Sequence, residues 1–260
     1  MPPRLVLLHG FTQTASSWGP IARLLEGRFD LLMPDAPGHG SRSHVQADLW
    51  QTADLLARLL AGRPPDAASG RATWVGYSMG GRMALHVALA HPEAVDRLVL
   101  ISTNPGIQGH EARRKRRASD EALARRIETQ GLSAFLRWWL AQPLFATLAP
   151  SAAGLGERLA NTEEGLASSL RLAGLGSQDP LWDRLGELGE RGLPVLLVAG
   201  ELDSAYRSHA ERMAAAIGPS ARLQVIEGAG HACHLERPGQ LAAAIAAFAA
   251  TAPPGATGQL

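Results

Sequence analysis

A serine set between glycines, Gly76-Tyr77-Ser78-Met79-Gly80-Gly81, is the segment of this chain best suited to covalent or proton-transfer chemistry. It follows the apolar run Thr73-Trp74-Val75 and leads into a helix-like stretch from Met79 to Ala90. G-x-S-x-G between a strand and a helix is a nucleophile elbow. Small residues flank the serine because the turn is too tight for a β-carbon on either side, and the strain lifts the hydroxyl toward a substrate. A glycine-rich turn with an incidental serine has the same composition, so the partners must decide.

Such a serine needs an imidazole to take its proton and a carboxylate to orient the imidazole, each from a loop after a later strand. Asp203 lies in Gly200-Glu201-Leu202-Asp203-Ser204, directly after the apolar run Val195–Ala199. His231 lies in Gly228-Ala229-Gly230-His231, directly after Leu223–Ile226. The order serine, acid, histidine points to a catalytic triad in which His231 takes the Ser78 proton and Asp203 holds the imidazole tautomer. Glu201, two residues from Asp203, stays open as an alternative acid. The backbone amides of Phe11, after His9-Gly10, and of Met79, after the serine, are placed to form an oxyanion hole. His39, in Asp35-Ala36-Pro37-Gly38-His39-Gly40-Ser41, reads as part of a structural turn, and Cys233 and His234 as packing residues. The spacing of histidines offers no metal-ligand set.

The elements that must carry these loops are legible as short apolar runs bounded by Gly, Pro or polar residues: Leu5–Leu8, Leu31–Met33, Thr73–Val75, Leu98–Ile101, Val195–Ala199 and Leu223–Ile226. They read as strands buried on both faces, separated by helix-period segments such as Val45 to Leu60. This alternation predicts an α/β fold: a mostly parallel sheet with helices on both faces. From Pro105 to Gly192 no strand is evident. The expected organisation is therefore a core of residues 1–104 and 193–250, a helical cap over 105–192, and a flexible tail over 251–260. With 260 residues and 46% hydrophobic content, one large core suffices. A formal net charge of +1 gives no reason to expect nucleic acid or a membrane surface as partner. The single cysteine excludes an internal disulfide and suits a reducing compartment, and Leu5–Leu8 is too short for a signal or spanning segment. These features predict a soluble, cytoplasmic protein of unassigned oligomeric state.

Two arginine-bearing segments bear on the substrate. Arg82 lies one helical turn beyond Ser78, where a guanidinium is costly unless a carboxylate of protein or substrate answers it. Arg113-Arg114-Lys115-Arg116-Arg117 is a basic run of which a helix can turn only one or two toward a cleft, the rest forming a solvated face with Glu111, Asp120 and Glu121.

Assembled, these residues resemble the α/β-hydrolase superfamily, and more narrowly the MenH family of 2-succinyl-6-hydroxy-2,4-cyclohexadiene-1-carboxylate synthases. The narrower resemblance rests on Gly76 to Arg82, Asn104-Pro105-Gly106-Ile107-Gln108, Trp139 with Gln142-Pro143-Leu144-Phe145, Asn161 with Gly165 to Arg171, Gln178 with Leu181-Trp182, and Gly230-His231. It implies a lyase in which the activated serine removes a proton α to the succinyl carbonyl of 2-succinyl-5-enolpyruvyl-6-hydroxy-3-cyclohexene-1-carboxylate. Pyruvate is then eliminated, with the enolate in the backbone oxyanion hole and no metal or organic cofactor. It further implies that Arg82, Arg116, Arg158 and Arg171 meet a small polycarboxylate substrate, and that Tyr77, Gln108 and Trp139 line its pocket. The antiparallel edge strands that many relatives carry before the first strand are expected to be absent or reduced. The same triad would also serve a serine carboxylesterase or a carbon–carbon bond hydrolase acting on an acidic substrate.

Overall fold

The computed structural model describes residues 2–62 and 70–250, and its frame is one parallel sheet. The strands are β1 (Arg4–Leu8), β2 (Asp30–Leu32), β3 (Ala72–Tyr77), β4 (Val95–Ile101), β5 (Val195–Gly200) and β6 (Ala221–Ile226), in the spatial order β2-β1-β3-β4-β5-β6. Registers such as Val6 against Trp74, Trp74 against Leu98 and Leu98 against Val195 run through the centre. The expected α/β fold, a parallel sheet covered by helices, is what the chain forms.

Alternation along the strands splits the core. Val6, Leu8, Trp74, Leu98, Leu100 and Leu197 pack on one face beneath α2 (Leu49–Ala61) and α3 (Met79–Ala90), with α8 (Gly186–Glu190) and α9 (Ser204–Ile217). Leu5, Leu7, Val75, Val99, Ile101 and Val198 pack on the other beneath α1 (Gly19–Leu25), α10 (Cys233–Glu236) and α11 (Pro238–Ala249). Burial on both faces explains why the central strands read as continuous apolar runs. β6 departs from that expectation. It is the sheet's edge, and Leu223 and Val225 are exposed at 37% and 41%. The helix expected over Val45 to Leu60 starts later, because Asp48 caps Leu49: its carboxylate accepts from Gln51 N at 2.8 Å while Gln51 Oε1 accepts from Asp48 N at 3.0 Å.

Between β4 and β5 the described chain is helical: α4 (His110–Gln130), α5 (Leu132–Leu140), α6 (Leu155–Arg158) and α7 (Glu163–Ala173) precede α8. Ala124, Ile127, Phe135, Leu136, Leu166 and Leu170 give this insertion an apolar cluster of its own. The expected tail, 251–260, lies outside the described residues.

Strand order reverses direction between β1 and β3, which leaves a crevice where the loops after these two strands diverge. Ser78 occupies the turn after β3 with φ +52°, a strained conformation for a residue with a β-carbon. The glycines that permit it act by close approach. A β-carbon on Gly76 would strike the Gly80 carbonyl, and one on Gly80 would strike the carbonyls of Leu8 and His9 at the end of β1. The expectation that the turn has no space for side chains on either side thus has a concrete cause: α3 starts in backbone contact with β1. Gly80→Ala is accordingly expected to lower unfolding free energy by about 1–3 kcal/mol in urea titration. Gly239→Ala, which meets open space, should change it by less than about 0.5 kcal/mol.

Candidate active site

Three loops at the carboxyl edge of the sheet bring Ser78, Asp203 and His231 together. Asp203 caps α9 and accepts from Tyr206 N at 3.4 Å, which leaves Oδ2 for the His231 ring. His231 Nδ1 lies 2.7 Å from that oxygen, and His231 Nε2 lies 3.3 Å from Ser78 Oγ. A carboxylate only accepts, so Nδ1 carries the proton, and Nε2 of the neutral ring is left to accept from the serine hydroxyl. Glu201, the alternative acid, instead accepts from Gly228 N at 2.9 Å and steadies the histidine loop.

The histidine is held from several sides. Tyr206 packs with its ring centroid 4.4 Å from that of His231, and Tyr77 lies beneath at 5.4 Å. Glu236 accepts from the backbone N–H groups on both sides of His231, Gly230 N at 2.7 Å and Ala232 N at 2.9 Å. Thr103 Oγ1 donates to the Ser78 carbonyl at 2.7 Å. Tyr206, Glu236 and Thr103 were missed by sequence reasoning. Only Tyr206, one helical turn after Asp203, leaves a spacing signal that could have found it.

Ser78 opens into a cavity of about 480 Å³ walled by Phe11, Met79, Trp138, Trp139, Leu144 and Tyr206, with Arg82 and Arg116 among its polar groups. Met79 is the first residue of α3, so its N–H is among those a helix leaves unpaired. Phe11 follows β1, and its ring meets Trp139 edge-on at 5.5 Å. Arg82 donates to the Ala173 carbonyl at 2.7 Å and to Gln178 Oε1 at 3.1 Å, both neutral acceptors. Burial, reinforced by the Arg116 charge, lowers its pKa to about 10, still cationic at neutral pH. Arg116 is the one residue of the basic run that reaches this cavity. Its Nε donates to Asp120 at 2.7 Å, and Asp120, expected on a solvated face, is buried and also accepts from Gly176 N at 2.9 Å. Lys115 and Arg114 pair with Glu111 in solvent, as a helix face requires.

Four residues expected around the substrate stand elsewhere. Arg171 is exposed on the outer side of α7, forked between Glu121 and Glu128 at 2.9 and 2.5 Å. Two carboxylates of α4 thus hold its guanidinium, and it does not line the cavity. Gln108 is exposed and accepts from Arg212 Nη2 at 3.2 Å. Tyr77 is buried under His231 and His234 and supports the rings from below. Arg158 is buried behind the loop that carries Phe11, donating to the Ala153 carbonyl at 2.8 Å and to Thr12 Oγ1, outside the cavity that holds Ser78. Trp139 does line the cavity, its buried Nε1–H meeting no acceptor among the described residues.

Two further histidines near the site, His9 and His39, are neutral scaffolding. His9 Nε2 accepts from Ala36 N at 3.0 Å and His39 Nε2 from Thr12 N at 3.3 Å, tying the loop after β1 to the loop after β2. Burial lowers their pKa values to about 4 and about 3. Cys233 Sγ donates to the Gly230 carbonyl at 3.3 Å, and burial pushes its thiol up to about 12, so it is no nucleophile at neutral pH. Among the described residues, no group of three His, Cys, Asp or Glu side chains could hold a metal ion, and no helix is long and apolar enough to cross a membrane.

Comparison with known proteins agrees with this architecture. Residues 5–244 match the model of the alpha/beta hydrolase family. The 2-succinyl-6-hydroxy-2,4-cyclohexadiene-1-carboxylate synthase of Salmonella typhimurium is 34% identical over 238 residues, covering 91% of this chain and 89% of the relative. The structure of MenH from S. aureus superposes with a TM-score of 0.85 at 30% identity, over 95% of this chain and 92% of that one. A thermophilic esterase from Thermogutta terrifontis, at 24% identity and a TM-score of 0.79 over 95% of this chain and 89% of that one, shares the fold.

The buried histidines make stability depend on pH. Their folded pKa values lie below the unfolded value near 6.5, so the unfolded chain binds more protons in between. The stability they confer is complete above pH 6.5 and is lost as pH falls toward 4 for His9 and 3 for His39. Urea unfolding is expected to lose about 2–3 kcal/mol per histidine between pH 6.5 and 4.5. His39→Gln should flatten that slope, and an unchanged slope would mean that His39 is protonated in the fold.

Proposed function

We propose, from the premise that this chain belongs to the alpha/beta hydrolase family, that it is a carbon–oxygen lyase. The reaction is elimination of pyruvate from 2-succinyl-5-enolpyruvyl-6-hydroxy-3-cyclohexene-1-carboxylate to give 2-succinyl-6-hydroxy-2,4-cyclohexadiene-1-carboxylate, a step of menaquinone biosynthesis. One observation carries the reading. The hydroxyl that hydrogen-bonds to His231 opens into a cavity where one of two cations, Arg82, hydrogen-bonds only to neutral acceptors. A half-buried guanidinium whose hydrogen bonds go only to neutral acceptors is a binding site for a carboxylate, and a substrate with several carboxylates supplies it.

In this mechanism Ser78 passes its proton to His231 Nε2 as Oγ takes the proton α to the succinyl carbonyl, and Asp203 stabilises the imidazolium. The electron pair moves onto the carbonyl oxygen, where the N–H groups of Phe11 and Met79 accept the charge, helped by the positive end of α3. Collapse of the enolate forms the ring double bond and breaks the bond to the enolpyruvyl oxygen. The departing enolate is protonated to pyruvate. Arg82 and Arg116 hold carboxylates, and the aromatic wall of Trp138 and Trp139 packs on the ring. Helices α4 to α7 act as the cap that supplies this wall; the last part of the expected cap over 105–192, with Leu181, Leu185 and Leu188, packs against the sheet instead. The reaction calls for no cofactor, nucleic acid or membrane, and one cysteine suits the cytoplasm.

Likeness to an esterase favours a second reading, since the same three side chains would form an acyl-enzyme with an ester. Pyruvate release, followed with lactate dehydrogenase and NADH, separates the two: hydrolysis of aryl esters with no pyruvate from the enolpyruvyl substrate would replace the lyase by the esterase. With the lyase, Ser78→Ala and His231→Ala should each lower kcat by about 10³ or more. Arg82→Ala should lower kcat/KM by about 10². Arg171→Ala, which loses only outer ion pairs, should stay within about two-fold.

A further inference from the structure

The Gly10–Gln13 turn after β1 is closed by Gln13 N–H to the Gly10 carbonyl at 3.1 Å, with Phe11 and Thr12 at its corners. Thr12 has φ +67° at the second corner, and Phe11 is not in the positive-φ region. That is the type II pattern, in which glycine is the ordinary occupant of the second corner. A β-branched residue persists there only where its surroundings over-determine it. Among the described residues, the non-glycine positions with positive φ are Thr12, Ser78 and Ser102, of which Ser78 carries the reacting hydroxyl and Thr12 adjoins Phe11.

Every polar atom of Thr12 is engaged by a different buried side chain. Its N–H donates to His39 Nε2 at 3.3 Å, its carbonyl accepts from Asn161 Nδ2 at 2.8 Å, and its Oγ1 accepts from Arg158 Nη1. Two of these three partners come from the helical insertion. Asn161 is itself fixed, donating to the Arg158 carbonyl at 2.8 Å and accepting from Gly40 N at 3.0 Å. Arg158, occupied here and outside the main cavity, has a task other than meeting substrate.

We propose that Arg158 and Asn161 are positioning residues that, by clamping Thr12, aim the Phe11 N–H at the oxyanion, so that the insertion which walls the cavity also sets the donor that stabilises the developing charge. This rests on the reading of Ser78 as the reacting hydroxyl. An oxyanion forms only in the transition state, so loosening the clamp acts on kcat and leaves KM nearly unchanged.

The test uses Thr12→Val, which keeps shape and loses the acceptor, Thr12→Ser, which keeps the hydroxyl, and Asn161→Ala. Each is checked for folding by its thermal midpoint. Two rates are read: pyruvate release, and phosphonylation of Ser78 by an aryl fluorophosphonate. In the latter the serine oxygen bonds to phosphorus, fluoride leaves, His231 takes the proton, and the phosphoryl oxygen occupies the oxyanion position. Thr12→Val and Asn161→Ala are expected to slow both by at least about ten-fold with KM within about three-fold, and Thr12→Ser to restore most of the rate. If Asn161→Ala fails to fold, the two Thr12 variants decide. Both rates within about two-fold in Thr12→Val, or a raised KM with unchanged kcat, would overturn the clamp. Slowed phosphonylation in a protein that releases no pyruvate would leave the clamp standing and remove the lyase. Neither reaction in the unaltered protein would remove the role of Ser78, and the clamp with it.

Discussion

The hydrogen bond from His231 Nδ1 to Asp203 sets which nitrogen of the ring faces Ser78. By placing the imidazole proton on the acid side, it leaves Nε2 as the acceptor facing Ser78. The surrounding structure serves to hold that ring. Asp203 is immobilised as the cap of α9, Glu236 grips both peptide N–H groups flanking the histidine, and Tyr206 and Tyr77 pack on the ring. A glycine-rich loop holds its imidazole in one orientation because three carboxylates, those of Asp203, Glu236 and Glu201, anchor it at different points.

Charge is distributed with the same economy. His9 and His39, close to the site, are buried, depressed in pKa and used as neutral acceptors for loop N–H groups. The cations are treated oppositely. Arg171, Arg114 and Lys115 are matched with carboxylates at the surface, whereas Arg82 faces the cavity with none. Where pairing is complete a cation contributes little beyond solubility. Where it is withheld, the guanidinium is left with neutral acceptors alone.

Backbone strain sits where two chain segments approach too closely for ordinary conformations. Ser78 is lifted because α3 starts against the end of β1, and Thr12 is forced because three side chains converge on one peptide turn. Both places lie at the crevice created by the reversal of strand order between β1 and β3. Topology thus decides where strain is tolerated, and packing on both sheet faces and in the insertion supplies the rigidity to sustain it.

Much was legible from residue order. Central strands buried on both faces leave continuous apolar runs, the elbow requires glycines at fixed offsets, and the acid and histidine follow their strands directly, so Ser78, Asp203, His231 and the parallel sheet were local patterns. Arg82 was also readable, since one helical turn fixes its distance from Ser78. The edge position of β6, the late start of α2 and the fates of Arg158, Arg171, Gln108 and Tyr77 were not. The start of α2 is set by a local capping box and the edge by strand order, whereas the four side chains each depend on a partner far along the chain: Glu128 for Arg171, Arg212 for Gln108, Thr12 for Arg158, His234 for Tyr77. Short-range patterns determine which groups exist and on which element they stand. Which way a long side chain turns is decided only when the folded chain sets two possible partners within reach and the nearer or less hydrated one wins.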